Sequence, residues 1–441
     1  MSDRLRVNGI LLLYHDPRVI SASMVLDLVH AFSRYSRFRV WAVNTELGFP
    51  RSIGPLEFEV VVLHYSVFAW KPYFLSEEFL GYLDESATGR KVAFFQDEYR
   101  FWPERAAFLN RYNVDCVYTC VEPPYYKDTY QRHTKVPRLV TYIPGYVSEE
   151  MVRWGREAAK PDRERRVDIG YRGRQAFPYM GKGAREKHDI GVRFLERAAE
   201  SGLVMDIGTE EHRRIYGKRW ITFLADCRAA LGVEAGVSIF DIDNVVLPAC
   251  ERILAENPDI SLEELHDWLL ASYDGHGVYY RTVSPRVFEA ASARTCQILY
   301  EGKYSGIIEP MIHYIPLKKD FSNFDEVITR YRDEDLRHHL VENSYRDLIS
   351  SDAYSYRSFI TRFDEELLGL GMDPDVHGAI ADRVTRDLAR DRRWNVRRVG
   401  LQARARFVAA VRATDAWVLK ALGFSVVRQV RRILKGRGGK A

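Results

Sequence analysis

The sequence has no run of about 18 apolar residues, so nothing in it reads as a membrane-spanning helix. It is poor in cysteine: Cys116, Cys120, Cys227, Cys250 and Cys296 are an odd set scattered along 441 residues, which excludes a disulfide framework and suits a reducing cytoplasm. Cys116 and Cys120, in NVDCVYTCVEPP, have no second Cys or His pair at zinc-site spacing and read as buried thiols rather than metal ligands. The dinucleotide fingerprint G-x-G-x-x-G is missing after the first apolar run, where the sequence is YHDPRVISAS, and no Walker A lysine loop occurs. Nicotinamide and ATP chemistry therefore lack their usual phosphate cradle. The opening MSDRLRVNGILLLYHD breaks at His15 and Asp16 with no small-residue cleavage site after it, so it reads as a first strand and not a signal peptide. No internal repeat stands out.

What is present is an ordinary globular balance, 46% hydrophobic and 29% charged, in a chain long enough for two or three domains. The net charge of +4 hides an asymmetry. Residues 381–441 hold 17 Lys/Arg against 4 Asp, a local +13, which leaves −9 for residues 1–380. The chain is an acidic body with a basic tail.

Residues 1–150 alternate short apolar runs with helix-period segments. Strands are expected at Val7–Tyr14, Phe38–Val43, Phe58–His64, Lys91–Gln96, Val114–Thr119 and Leu139–Ile143, with a clear amphipathic helix at Ser21–Ser36. Apolar strands leading through polar loops to helices describe a parallel sheet covered on both faces. Residues 151–165 are polar and charged and read as a linker. The alternation restarts over 166–350: strands at Val167–Tyr171, Leu203–Ile207, Ala229–Val233 and Cys296–Tyr300, helices at Ala184–Ser201, Lys218–Cys227 and Pro285–Ser292. A further helix at 355–368 lies within a closing segment, 351–375, and the basic tail follows from 380. The expectation is an α/β chain of two Rossmann-like domains whose strand ends meet across a cleft, a place for two substrates.

Three segments carry candidate chemistry. DIGYRGRQAFPYMGKGAREKH sets Arg172, Arg174, Lys182, Arg185 and Lys187 among Gly170, Gly173, Gly181 and Gly183, between a strand and a helix start. Amides and cations so placed hold a diphosphate, unless the stretch is merely a solvated basic loop. In LGVEAGVSIFDIDN, Glu234 ends an apolar strand, placed to meet a substrate hydroxyl or to serve as an ordinary turn acid. In RTVSPRVFEAASARTCQILYEG, Ser284 is an N-cap and Pro285 fits the first helical position. Glu289 there has apolar neighbours and needs a partner: ribose hydroxyls of a nucleotide, or a cap or salt bridge to Arg286.

The order of these segments resembles the C-terminal half of GT-B glycosyltransferases, of the group 1 and spore-protein-like bacterial types with an F-E-A-x-A-x-G segment. The resemblance spans about residues 165–350 and is only architectural over 1–150. It implies that Glu289 binds the nucleotide ribose, that Arg174 and Lys182 contact the diphosphate, and that Arg172, Ser284 and Arg286 belong to the same donor site. The sequence departs from the pattern at Arg281, where many group 1 enzymes have a first Glu, and at Arg294, where a glycine is expected. Glu234 then takes the first Glu's role, with 242–280 as an insertion. For an inverting reaction, the N-terminal strand ends offer His15, Asp16, His64, Gln96, Asp97 and Glu98 as bases, of which Asp97 and His15 are the choices. A retaining reaction would not need that base.

In the tail, SVVRQVRRILK puts Val426, Val427, Val430, Ile433 and Leu434 on one helical face and Arg428, Arg431, Arg432 and Lys435 opposite, with Trp394, Phe407, Trp417 and Phe424 nearby. Such a helix suits an anionic lipid surface, or else packs on the body or a partner helix; no motif supports nucleic acid. The expected protein is a hexosyltransferase moving a sugar from a nucleotide-sugar donor to a glycan or lipid-linked acceptor in cell-surface polysaccharide assembly. It would work peripherally at the cytoplasmic membrane face, with no metal and no cofactor beyond that co-substrate. A sugar-nucleotide epimerase and an inactive membrane-associated scaffold are the rival readings.

Overall fold

The computed structural model describes residues 4–17, 24–85, 89–374, 379–391, 394, 396–404 and 406–407. The first half is one open sheet of β1 (Leu5–Tyr14), β2 (Val40–Asn44), β3 (Leu56–Leu63), β4 (Arg90–Phe94), β5 (Cys116–Thr119) and β6 (Arg138–Thr141). All its pairings are parallel, in the order β2-β1-β3-β4-β5-β6. The central strands read as continuous apolar runs because both faces are covered: Ile10–Leu13 and Val60–Leu63 are wholly buried.

The second half comprises β7 (Val167–Arg172), β8 (Met205–Gly208), β9 (Cys227–Gly232), β10 (Ala235–Val237), β11 (Tyr280–Thr282), β12 (Cys296–Tyr300) and β13 (Ile315–Leu317). Five of them form a parallel sheet, β13-β12-β9-β7-β8, while β10 and β11 pair antiparallel beside it. The expected α/β class with two parallel-sheet units is therefore observed. Between β10 and β11 lie the helices Val246–Glu256 and Leu262–Leu265, with Asp241 accepting from the amides of Val245, Val246 and Leu247 at the first of them.

The chain crosses between the halves twice, side by side. Val147 and Ser355 form a parallel bridge, and the Val147 amide donates to the Tyr354 carbonyl. Past that return crossing, the helix Tyr356–Gly369 packs on the first sheet, where Phe363 meets Phe32 edge to face at 5.0 Å.

The segment expected as a linker is different. Glu149–Ala158 is a helix with Ser148 as N-cap, its side chain accepting from the Met151 amide at 3.1 Å. Gly155 lets it approach the helix Pro285–Ser292, since a Cβ there would sit 2.1 Å from the Ser292 carbonyl oxygen. The apolar content of this helix is too small to stand out in a charged stretch. The start of the basic tail also differs from a free surface binder. The helix Ala379–Arg390 buries Ala381 and Val384 against the first core, and Thr385 accepts from the Trp41 indole at 3.1 Å. The basic amphipathic stretch 425–435, with Trp417 and Phe424, lies outside the described residues. Among the described residues no helix is long and apolar enough to cross a membrane.

Candidate active site

Loops beyond β4 meet the second half directly. The Tyr280 hydroxyl donates to the Gln96 carbonyl at 2.5 Å, and the Asp241 amide donates to the Tyr99 carbonyl at 3.0 Å. Phe240 packs edge to face on Trp102 and on Tyr280. These contacts hold the segment beyond β4 against β11 and the segment beyond β10, at the junction of the two halves.

The basic glycine segment divides along its length. Arg172, the last residue of β7, turns into the fold: it pairs with Asp206 at 2.8 Å, donates to the Asp206 carbonyl and lies over the Phe223 ring. It joins β7 to β8 and does not face the cleft, contrary to the expected donor contact. The helix Lys182–Arg197 begins with its amides already satisfied. Lys182 N–H donates to Asp274 and Gly183 N–H to the Ser238 hydroxyl, both at 2.7 Å. This helix start is therefore not the anion cradle that the sequence suggested. The Lys182 ammonium acts on exposed Glu263, which Arg185 pairs at 2.9 Å, on the side of the 242–280 segment.

The remaining cations converge. Lys187 is pushed down to about 8, first by burial and then by the positive charges of Arg281, Arg174 and Arg286, with Asp97 opposing. Gly173 makes this compactness possible, because a Cβ there would meet the Lys187 carbonyl oxygen at 2.3 Å. Arg174 is exposed. Arg286 reaches back to the Arg172 carbonyl and lies 5.2 Å over the Trp220 ring. Arg281 differs from them: it is buried, 2.5 Å from Glu186 and 4.0 Å from Glu234, with Glu186 also bound to Lys319 at 2.8 Å. Its charge is matched locally, whereas those of Lys187, Arg174 and Arg286 accumulate.

Glu289 stands on the helix Pro285–Ser292, which Ser284 caps as expected by accepting from Arg286 N–H. Its Oε2 accepts the Trp220 indole N–H at 2.7 Å. Burial raises its pKa, against the pull of Arg286. It lines a cavity of about 50 Å³ between the halves, with Asp27, Tyr146, Trp154, Trp220 and Tyr356. Asp27, on the helix Met24–Tyr35, is pushed up to about 6 by burial and by the charges of Glu150 and Glu289. The sequence carried no signal for Trp220 or Asp27 as cleft residues. Lys187 was one of five cations expected around a diphosphate, and nothing in the sequence singled it out from Lys182 or Arg185.

Glu234 does not face a substrate. It is 2% exposed; its Oε1 accepts from the Tyr304 amide and its Oε2 from the Tyr279 hydroxyl, both at 2.9 Å. Both oxygens are engaged in holding the loop after β12, which fits the turn-acid reading rather than the catalytic one. On the opposite wall, His15 is buried, stacked on Phe74 at 4.0 Å and bound to Thr45. Burial and Lys71 lower its pKa to about 4, so the imidazole is neutral. His64 is likewise held neutral by burial, at about 3, and contacts Ser66. Glu98 is buried and accepts from Thr119 and Cys120. Asp97 alone of the expected bases is exposed, and it acts electrostatically on Lys187.

No family model and no curated protein matches the sequence. Among solved structures, the chain is similar to an alpha-glucosyltransferase in complex with UDP-glucose and DNA containing an abasic site, at 10% identity over 82% of this chain and 99% of that one, with a TM-score of 0.49. It is similar to Anabaena HepE in complex with UDP and glucose, at 9% identity, 82% and 100% coverage and a TM-score of 0.45. It is also similar to the sucrose-phosphate synthase of Thermosynechococcus elongatus, at 10% identity, 82% and 99% coverage and a TM-score of 0.45.

Proposed function

We propose that the chain is a glycosyltransferase that takes its sugar from a nucleotide-sugar donor. The observation that carries this reading is the cation-rich end of β7: Lys187 feels the charges of Arg281, Arg174 and Arg286, and Arg286, tied to the Arg172 carbonyl, shares its helix with the Glu289 carboxylate. A nucleoside diphosphate presents the matching chemistry, a dianionic bridge for the cations and a vicinal diol for the carboxylate. The catalytic contribution follows from the same groups. As the glycosidic bond to the diphosphate breaks, charge grows on the departing oxygen, and pre-placed cations stabilise that charge without reorganising. Arg286, already anchored to the Arg172 carbonyl, and Lys187, whose charge burial and the neighbouring arginines oppose, are the groups placed to do so. Asp97 is the exposed carboxylate across the cleft that would accept the proton of an acceptor hydroxyl in an inverting reaction. The nucleotide sugar is a co-substrate, and no resident cofactor enters this scheme.

The acceptor in this reading is a glycan or lipid-linked saccharide of a cell-surface polysaccharide, handled at the cytoplasmic face of the membrane. Exposed Val396, Val399 and Phe407 among Arg398, Arg404 and Arg406, just past the docked helix, support a lipid-facing role for the tail. The donor assignment is tested by melting the protein with a panel of nucleotide sugars and nucleoside diphosphates, with nucleotide release followed in parallel. At least one uridine or guanosine diphosphate sugar should raise the melting temperature, and Glu289→Ala should abolish that rise while the unliganded protein still melts cooperatively. No shift with any nucleotide would reject the enzyme reading. For the membrane, replacing Arg428, Arg431 and Arg432 with Glu should release the protein from phosphatidylglycerol vesicles; undiminished binding would reject the tail as the anchor.

A further inference from the structure

The cleft opens onto a strip of aromatic rings that the donor site does not use. Trp70, in the loop after β3, is 54% exposed, and Phe177, in the loop after β7, is 58% exposed. Single exposed aromatics are ordinary, and Trp268 is more open still, but exposed rings linked into one patch mark a binding surface. They are joined across the two halves. The Arg100 guanidinium lies 5.8 Å from the Trp70 ring and donates to the Tyr179 hydroxyl at 3.3 Å, and Tyr179 stacks nearly parallel with Phe177, 5.6 Å apart and 12° between planes. Asp97 lies near the strip, within electrostatic reach of both Tyr179 and Lys187, and three residues from Arg100 in the same loop.

We propose that Trp70, Tyr179 and Phe177 form a stacking platform for the saccharide chain of the acceptor, leading its end toward Asp97 and the donor cations. The proposal rests on the glycosyltransferase reading and names the acceptor surface of that site. Pyranose rings present flat C–H faces to aromatic rings and hydroxyls to polar groups at their edges, and the strip offers both, with Arg100 and Asp97 between and beside the rings. A single-stranded nucleic acid also stacks on aromatic rings, but it brings a polyanion to a body whose first 380 residues carry −9. A largely neutral sugar chain carries no such charge.

The test uses the full-length protein and affinity electrophoresis or calorimetry with maltohexaose, cellohexaose, chitohexaose and dextran as probes. At least one should bind, and the Trp70→Ala/Phe177→Ala variant should bind it about tenfold more weakly or less. Trp70→Phe/Phe177→Tyr, which keeps the rings, should restore binding. Both variants should keep the nucleotide-sugar melting shift, so loss of that shift in the wild type would fail the donor reading and not this one. Failure of every probe to bind, or equal binding by the alanine variant, would overturn the platform. Binding of oligo-dT that depends on Trp70 and Phe177, without saccharide binding, would replace it with a nucleic-acid surface.

Discussion

Beyond β1 and β3 stand two imidazoles, His15 and His64, that burial keeps neutral and that neighbouring hydroxyls hold, whereas beyond β7 and β11 stands Lys187, on which the charges of Arg281, Arg174 and Arg286 act. Both halves present the carboxyl ends of parallel strands, the usual place for ligands in such sheets. The difference lies in whether the groups there carry charge. In the first half the two rings are neutral, held through Thr45, Ser66 and the Phe74 ring, with His64 Nε2 buried and unpartnered. In the second, Arg172 is consumed by Asp206 and Arg281 by Glu186, whereas Arg174 is exposed and Lys187 sits among cations with Asp97 opposing them. An accumulated charge without a partner in the fold marks the site better than the count of basic residues in the loop.

That contrast is open to direct attack, and the sharpest blow falls on Arg281. Removing it as Arg281→Ala leaves Glu186 and Glu234 close together without their guanidinium, a loss of about 3 kcal/mol or more. Calorimetry should then show the melting temperature falling by about 6 °C or more; an unchanged temperature would mean that Arg281 belongs with the free cations. The double variant Lys187→Ala/Arg286→Ala should weaken the best nucleotide sugar about 100-fold, two charged hydrogen bonds' worth, with little change in melting temperature. His15→Ala should leave that affinity unchanged, and a comparable loss there would erase the distinction between the halves.

A smaller effect follows from pH. With its pKa lowered to about 8, Lys187 is charged below that value, so nucleotide-sugar affinity should be flat from pH 6 to 7 and fall as pH rises through about 8, approaching tenfold per unit. Titration calorimetry of Lys187→Arg should show the fall removed; the same fall in that variant would assign the titration elsewhere. The smallest effect concerns Asp27. Its folded pKa, about 6, is above the ordinary carboxylate value of 3.8, so the folded state binds more protons between the two and loses stability as pH rises through 6. Asp27→Asn should therefore melt about 2 °C higher at pH 7.5, an advantage that shrinks toward pH 4. An advantage that grows on acidification would contradict the crowding of Asp27 with Glu150 and Glu289.

Much of the framework was readable because parallel strands covered on both faces must be apolar throughout. The runs at Val7–Tyr14 and Phe58–His64 correspond to β1 and β3, and the Ser-Pro pair marks the start of the helix Pro285–Ser292. The helix Glu149–Ala158 escaped because its apolar residues are few and Gly155, a poor helix former, is explained only by the Ser292 backbone it touches. Of the proposed site, the helix that carries Arg286 and Glu289 was legible, with Ser284 capping it. Glu234 was not, because a carboxylate at a strand end looks the same whether it meets a substrate or the Tyr304 amide.

The sequence by itself determined the periodicity, and with it two sets of buried strands and the helices between them, because side-chain burial is written locally. It also determined that the body is acidic and the tail basic. Only the tertiary structure decided which charges cancel. Arg172 and Arg174 are two residues apart, yet the first, at the end of β7, is directed to Asp206 and the second, past the strand's end, is exposed. Ion pairing depends on partners such as Asp206 that lie over thirty residues away, and that proximity exists only once the sheets have formed.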